Sequence, residues 1–146
     1  MLKRICLTAA ILAIAATPAL ADSECGSPPV APAVPAASEF TGKTLAEAAK
    51  TRHETFLLIK AYQGALQPYR ACLKSKDDAD ILAIAEAKTK DDKSKMQSLQ
   101  DRIDARLKAN DQTVDTEQQI ATDFNTLAQF LAQCAKDSTP GNCPKN

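Results

Sequence analysis

The ten residues Asn110-Asp-Gln-Thr-Val-Asp-Thr-Glu-Gln-Gln119 decide how many helices the chain makes. They contain no glycine or proline. Through them the spacing Leu107, Asn110, Val114, Glu117, Ala121, Phe124, Ala128, Leu131, Ala135 keeps alternating by three and four, the period of one helix face. Against continuity, Asn110-Asp111 is a turn-forming pair, and Thr116 with Gln119 has the spacing of a capping box. Burial decides between the two. Ile120, Phe124, Leu127, Phe130 and Leu131 form the richest apolar face of the chain. If the helix ran on unbroken, that face would overhang a shorter partner and meet water.

Upstream, Leu45, Ala49, Arg52, Phe56, Ile59, Gln63, Leu66, Arg70 and Leu73 trace an imperfect heptad seam. It predicts a first helix over about 43–75, capped by Thr41 or by Thr44 with Glu47 three residues on. Pro68 lies inside it. The carbonyl its ring would crowd belongs to Gly64, so a kink is expected rather than an end. Ser75-Lys76-Asp77-Asp78 reads as the turn, with Asp77 or Asp78 capping the next helix. Lys88 to Lys95 is nearly all charged, but acid-to-base pairs such as Glu86/Lys90 keep it helical in this reading. The expected fold is all-α: an antiparallel three-helix bundle folding back near Asn110. The alternative is a long two-helix coiled-coil hairpin that dimerises.

The expected organisation is a signal peptide over 1–21, a Pro-rich arm over 22–42, a helical domain over 43–137 and a tail over 138–146. Lys3 and Arg4 precede an apolar run from Ile5 to Ala16, and Ala19-Leu20-Ala21 has the small-x-small pattern of a cleavage site. The run is too short to span a bilayer stably. Neither Cys6 nor Cys25 has the surroundings of a lipid-anchored cysteine. Cleavage after Ala21 predicts an exported protein. It removes two bases and no acids, so the balance of 18 basic and 18 acidic residues becomes net −2. Such a charge argues against a nucleic-acid partner.

The arm carries Pro28, Pro29, Pro32 and Pro35 and should be extended, either as a free linker or lying against the body with Val30 and Val34 as apolar contacts. Cleavage leaves Cys25, Cys72, Cys134 and Cys143. An even count in an exported chain reads as two disulfides. As polyproline the arm is long enough to run back along the first helix from residue 43 to Cys72. Cys25–Cys72 with Cys134–Cys143 is therefore preferred, because it fits either architecture. Cys72–Cys134 with Cys25–Cys143 stays open for a three-helix bundle.

Cys25-x-x-Pro-x-x-x-Pro-x-x-Pro, then Tyr69-Arg-Ala-Cys72-Leu73, then Val114-Asp-Thr-Glu-Gln-Gln and Phe124-Asn125 make a layout. It resembles small helical exported proteins of proteobacteria that carry no assigned function. The resemblance implies a periplasmic setting and an arm-to-helix disulfide, and no activity. The Cys134/Cys143 pair is not part of it.

Chemistry-bearing residues are few. His53 is the single histidine, and its neighbour Glu54 leaves a helix in another direction. A boundary histidine is expected, not a catalytic one. Asp77, Asp78 and Asp80 read as helix caps rather than a cation loop. Lys88, Lys90, Lys93 and Lys95 are interrupted by acids and read as a solvated face. Phe124, Leu127 and Phe130 read as core, and the proline run as a strap rather than a ligand for a Pro-recognition groove. No C-x-x-C and no nucleophile–base set is present. The expectation is no enzyme, no cofactor and no metal. A periplasmic interaction or structural module is expected, binding a protein partner or its own copy. The competing expectation is a stress-type binder, either chaperone-like or a small enzyme inhibitor.

Overall fold

A computed structural model describes residues 24–136 and 143–145. The expected signal peptide, its expected cleavage point and residues 138–142 and 146 of the tail lie outside the described residues. The described residues make a short 3-10 helix, Ala37–Phe40, and two long α-helices, α1 (Leu45–Thr89) and α2 (Lys93–Lys136). These pack against each other as a hairpin. The expected three-helix bundle does not form, and neither does the turn at residues 75–78 nor the one in 110–119.

The two long helices fold back on each other at Lys90–Asp92. Asp92 N–H donates to the Ala87 carbonyl at 3.0 Å and Asp91 N–H to Lys88 at 3.2 Å. This is the bond pattern of a Schellman stop, with Asp91 left-handed at φ 51°. Asp92 Oδ1 then accepts from Lys95 N–H at 3.0 Å and caps α2. Glycine normally fills the left-handed place, and this turn has none. Asp91→Gly is expected to raise the urea midpoint, by about 0.5–1 kcal/mol of stability, because it removes the strain of a side chain in that conformation.

A turn at 90–92 makes the helices 45 and 44 residues long. Neither overhangs the other, so Ile120, Leu127 and Leu131 of α2 are buried without a third helix. Asp77 does not cap a helix, because it sits inside α1 facing α2. Pro68 also lies within α1, which continues through it. Thr44 forms the capping box: its Oγ1 accepts from Glu47 N–H at 3.2 Å, and Glu47 returns a carboxylate oxygen to Thr44 N–H at 2.7 Å.

The seam follows two heptad positions on each helix. One is as read from the sequence: residues 59, 66 and 73 on α1, and 103, 124 and 131 on α2. The other lies one residue earlier than expected. On α1 it runs through Ala48, Thr55, Tyr62 and Tyr69, and on α2 through Arg106, Thr113 and Cys134, in line with Leu99, Ile120 and Leu127, which are buried as expected. The apolar neighbours Phe56, Leu107 and Val114 stay outside the seam, 44%, 49% and 44% exposed.

The arm lies along α1 and α2 over the half of the hairpin nearest the chain termini. Cys25 pairs with Cys72, with Cα atoms 5.8 Å apart, and Glu24 meets Lys76. Val34 packs against two clusters of the core, one of which holds Ile59, Leu66 and Ile120. Phe40, fully buried, anchors the arm's end against Ala48, Leu127 and Leu131. Val30 does not pack as expected and is 92% exposed. Cys134 pairs with Cys143, with Cα atoms 5.4 Å apart. This returns the chain to the start of α1, where the Lys145 carbonyl accepts from Leu45 N–H at 2.9 Å and Lys145 N–H donates to Lys43 at 2.7 Å. No helix among the described residues is long and apolar enough to cross a membrane.

Candidate functional site

Two features of the hairpin are more than plain core. The first is ionic and lies between the arm and the turn. Arg106 occupies a seam position that the heptad gives to an apolar side chain, and it is 1% exposed. Its Nε donates to Asp77 at 2.6 Å and its Nη2 to Asp80 at 2.5 Å. Arg102 Nε also donates to Asp80, at 3.1 Å, and its Nη2 contacts the other carboxylate oxygen. Two arginines on α2 and two aspartates on α1 thus form a neutral, mostly enclosed layer. Burial pushes the Asp80 carboxyl up, but the hydrogen bonds and charges of Arg106 and Arg102 outweigh it and hold the pKa below the usual carboxylate range. A group with a depressed folded pKa stabilises above its unfolded value of about 3.9, and that stabilisation is lost as pH falls through the folded pKa. The urea midpoint is therefore expected to be flat near neutrality and to fall below about pH 4, with a shallower acid limb in Asp80→Asn.

A second polar layer bridges the helices nearer the termini. Arg70 donates to Thr113 Oγ1 and to Glu117, both at 3.0 Å, and Gln63 donates to Glu117 at 3.1 Å. The Tyr69 hydroxyl and Arg70 Nη2 are enclosed without a hydrogen-bond partner. Burial raises the Tyr69 pKa. Tyr69 is buried, whereas the side chains of Arg70 and Glu117 are 25% and 31% exposed.

The second feature is the side of the hairpin away from the arm. Around an antiparallel pair the positions flanking the seam fall on two opposite sides. The arm takes one of them, at Cys72, Ala109 and Phe130. On the other lie Ala49 and Phe56 of α1 and Leu107, Val114, Ala121, Ala128 and Ala135 of α2. Phe56 rests on Phe124 with ring centroids 6.1 Å apart. A shallow apolar depression at the end near the termini is lined by Leu45, Ala49, Leu131 and Ala135.

His53 is exposed, and Glu54 turns to Lys50 at 3.9 Å, so the structure does not bring them together as an acid–base pair. Asp77 and Asp80 go to arginines, and Asp78 to Lys74 at 2.7 Å. No cluster of three or more metal-ligating side chains occurs among the described residues. Lys88, Lys90, Lys93 and Lys95 are exposed around the hairpin turn. Leu127 is buried, while Phe124 and Phe130 are half-buried.

Sequence reading placed Leu107 and Val114 in the seam and did not single out Arg106. The signal for the open side was present nonetheless: an apolar residue at every seventh position from 107 to 135, beside a seam that is itself largely apolar. No protein-family model, curated protein or solved structure matches the chain.

Proposed function

We propose that the mature chain is an exported protein-interaction module with no reaction of its own. Its disulfide-braced hairpin presents one open helical face to a protein partner. The observation that carries this reading is the third apolar position per heptad on α2, exposed at Leu107 and Val114. A two-helix seam needs two apolar positions per heptad, whereas a helix with a further packing neighbour needs three. Export is supported by the basic-then-apolar opening, by Ala19-Leu20-Ala21 and by two disulfides, which persist in oxidising compartments. The resemblance to small exported proteobacterial proteins favours the periplasm.

The reading is tested with a photo-cross-linking residue placed at Val114 and, as control, at the solvent-facing Val30, in native cells exporting the full chain. Discrete adducts at position 114 and none at position 30 are expected. The same background at both positions would overturn a binding role for this face. Mass spectrometry of the secreted chain should show Asp22 as its first residue.

A further inference from the structure

The open face is patterned for a helical neighbour, and the charges at its edges say which one. On α1 the edge next to Phe56 and Gln63 carries Lys60 and Lys74. On α2 the edge next to Leu107 and Val114 carries Asp104 and Asp111. All four are exposed. Lys74 also pairs with Asp78 at 2.7 Å. The strip between the edges is apolar on α2, but on α1 it passes from Ala49 and Phe56 to Gln63 and Arg70, which bond Glu117. The outer edges set Lys60 and Lys74 of α1 against Asp104 and Asp111 of α2.

Resting on the interaction-module reading, we infer that the occupant is a second copy of this chain. A contact between identical surfaces must be complementary to itself. A two-fold axis along the hairpin sets α1 of one copy over α2 of the other, so each basic edge meets an acidic one. A two-fold axis across the helices sets α1 on α1, basic on basic. The charges select the first arrangement. In it every helix runs antiparallel to both of its neighbours, the arrangement of an up-down four-helix bundle. The arm does not compete for this face, because Cys25–Cys72 and Val34 hold it on the opposite side.

The area is sufficient. The stripe from residue 107 to 135 is roughly 42 Å long at 1.5 Å per residue. Two helices packed side by side offer a face about 20 Å wide. Each copy then contributes on the order of 800 Å², the size found in specific protein–protein contacts. Small side chains at Ala49, Ala121, Ala128 and Ala135 let the helices approach closely at the end near the termini. Phe56, Leu107 and Val114 supply the larger contacts toward the middle.

The test is sedimentation equilibrium of the mature, disulfide-intact chain over a hundredfold concentration range. A mass twice that of the chain is expected. Val114→Glu should raise the dissociation constant more than ~10-fold, the loss of one buried interface contact, with helix content and disulfides unchanged. Leu82→Glu, at an exposed site nearer the turn, should leave it unaltered. Lys74→Glu should weaken the dimer, and adding Asp104→Lys should restore it. A Lys74→Glu variant that associates more tightly overturns the α1-on-α2 arrangement. A chain that stays monomeric while residue 114 cross-links to a different protein overturns the second copy and leaves the binding reading standing. No association and no cross-link overturn both.

Discussion

Asp80→Ala is expected to destabilise the hairpin by about 3–5 kcal/mol, read as a lower urea midpoint in a helix-signal titration. The reason lies in what the substitution leaves behind. Arg106 is 1% exposed and loses one of its two aspartate partners, while Asp77 stays on its Nε. Its Nη2 loses the Asp80 oxygen at 2.5 Å and cannot reach water without opening the seam. Arg102, half exposed, turns to solvent at little cost. A loss below about 1 kcal/mol would mean that Asp77 alone neutralises Arg106. Replacing Asp77, Asp80 and Arg106 together by leucine should behave differently. Buried ion pairs exchanged for apolar side chains of similar volume are often neutral or stabilising. That variant is expected to regain the stability lost in Asp80→Ala. It should lose some fixity of register, because a leucine seam slides by a heptad more easily than one keyed by two arginines to two aspartates.

The same four residues show how much of the fold is legible from sequence. The all-helical class is legible, as is the Thr44–Glu47 cap, because the three-four spacing and the capping box are local patterns. The turn is not. Asp77-Asp78 has the composition of a helix start, but Asp77 meets Arg106, 29 residues along the chain, as Asp80 meets Arg102, 22 residues along, and Asp78 pairs within the helix with Lys74. A partner at that distance leaves no local trace. The true turn hides because Asp91 takes a left-handed place usually marked by glycine. What does mark it is the gap in large apolar residues from Lys88 to Lys95. The seam is misread by one residue for a related reason. Ranking by hydrophobicity prefers Leu107 to Arg106 and Val114 to Thr113. Arg106 is inside because its charge is neutralised across the hairpin, and Thr113 because its hydroxyl is paired, accepting from Arg70 and donating to the Asn110 carbonyl. The leucine and valine displaced from the core are the residues that build the open face, so the misreading of the core and the missed candidate site have one cause.

Replacing Cys25 and Cys72 by alanine is expected to cost about 4 kcal/mol, against about 3 kcal/mol for Cys134 and Cys143. The difference follows from loop length, with cysteine separations of 47 and 9 residues. The longer cross-link also does what the shorter does not. The arm is proline-rich extended chain with few bonds of its own, so little besides Cys25, Val34 and Phe40 fixes it to the hairpin. Without the disulfide its first half is expected to leave α1, while Phe40 keeps the second half docked. That would uncover Tyr69, Leu73 and Ala109, the cluster on which Cys25 packs. Binding of an apolar-surface dye should therefore rise in the Cys25/Cys72 variant and remain unchanged in the Cys134/Cys143 variant. If both variants bind dye alike, the arm adheres without its cross-link. The strap matters to the open face as well: over the half of the hairpin nearest the termini it closes one side of the seam covalently, and there the other side is left for a neighbour.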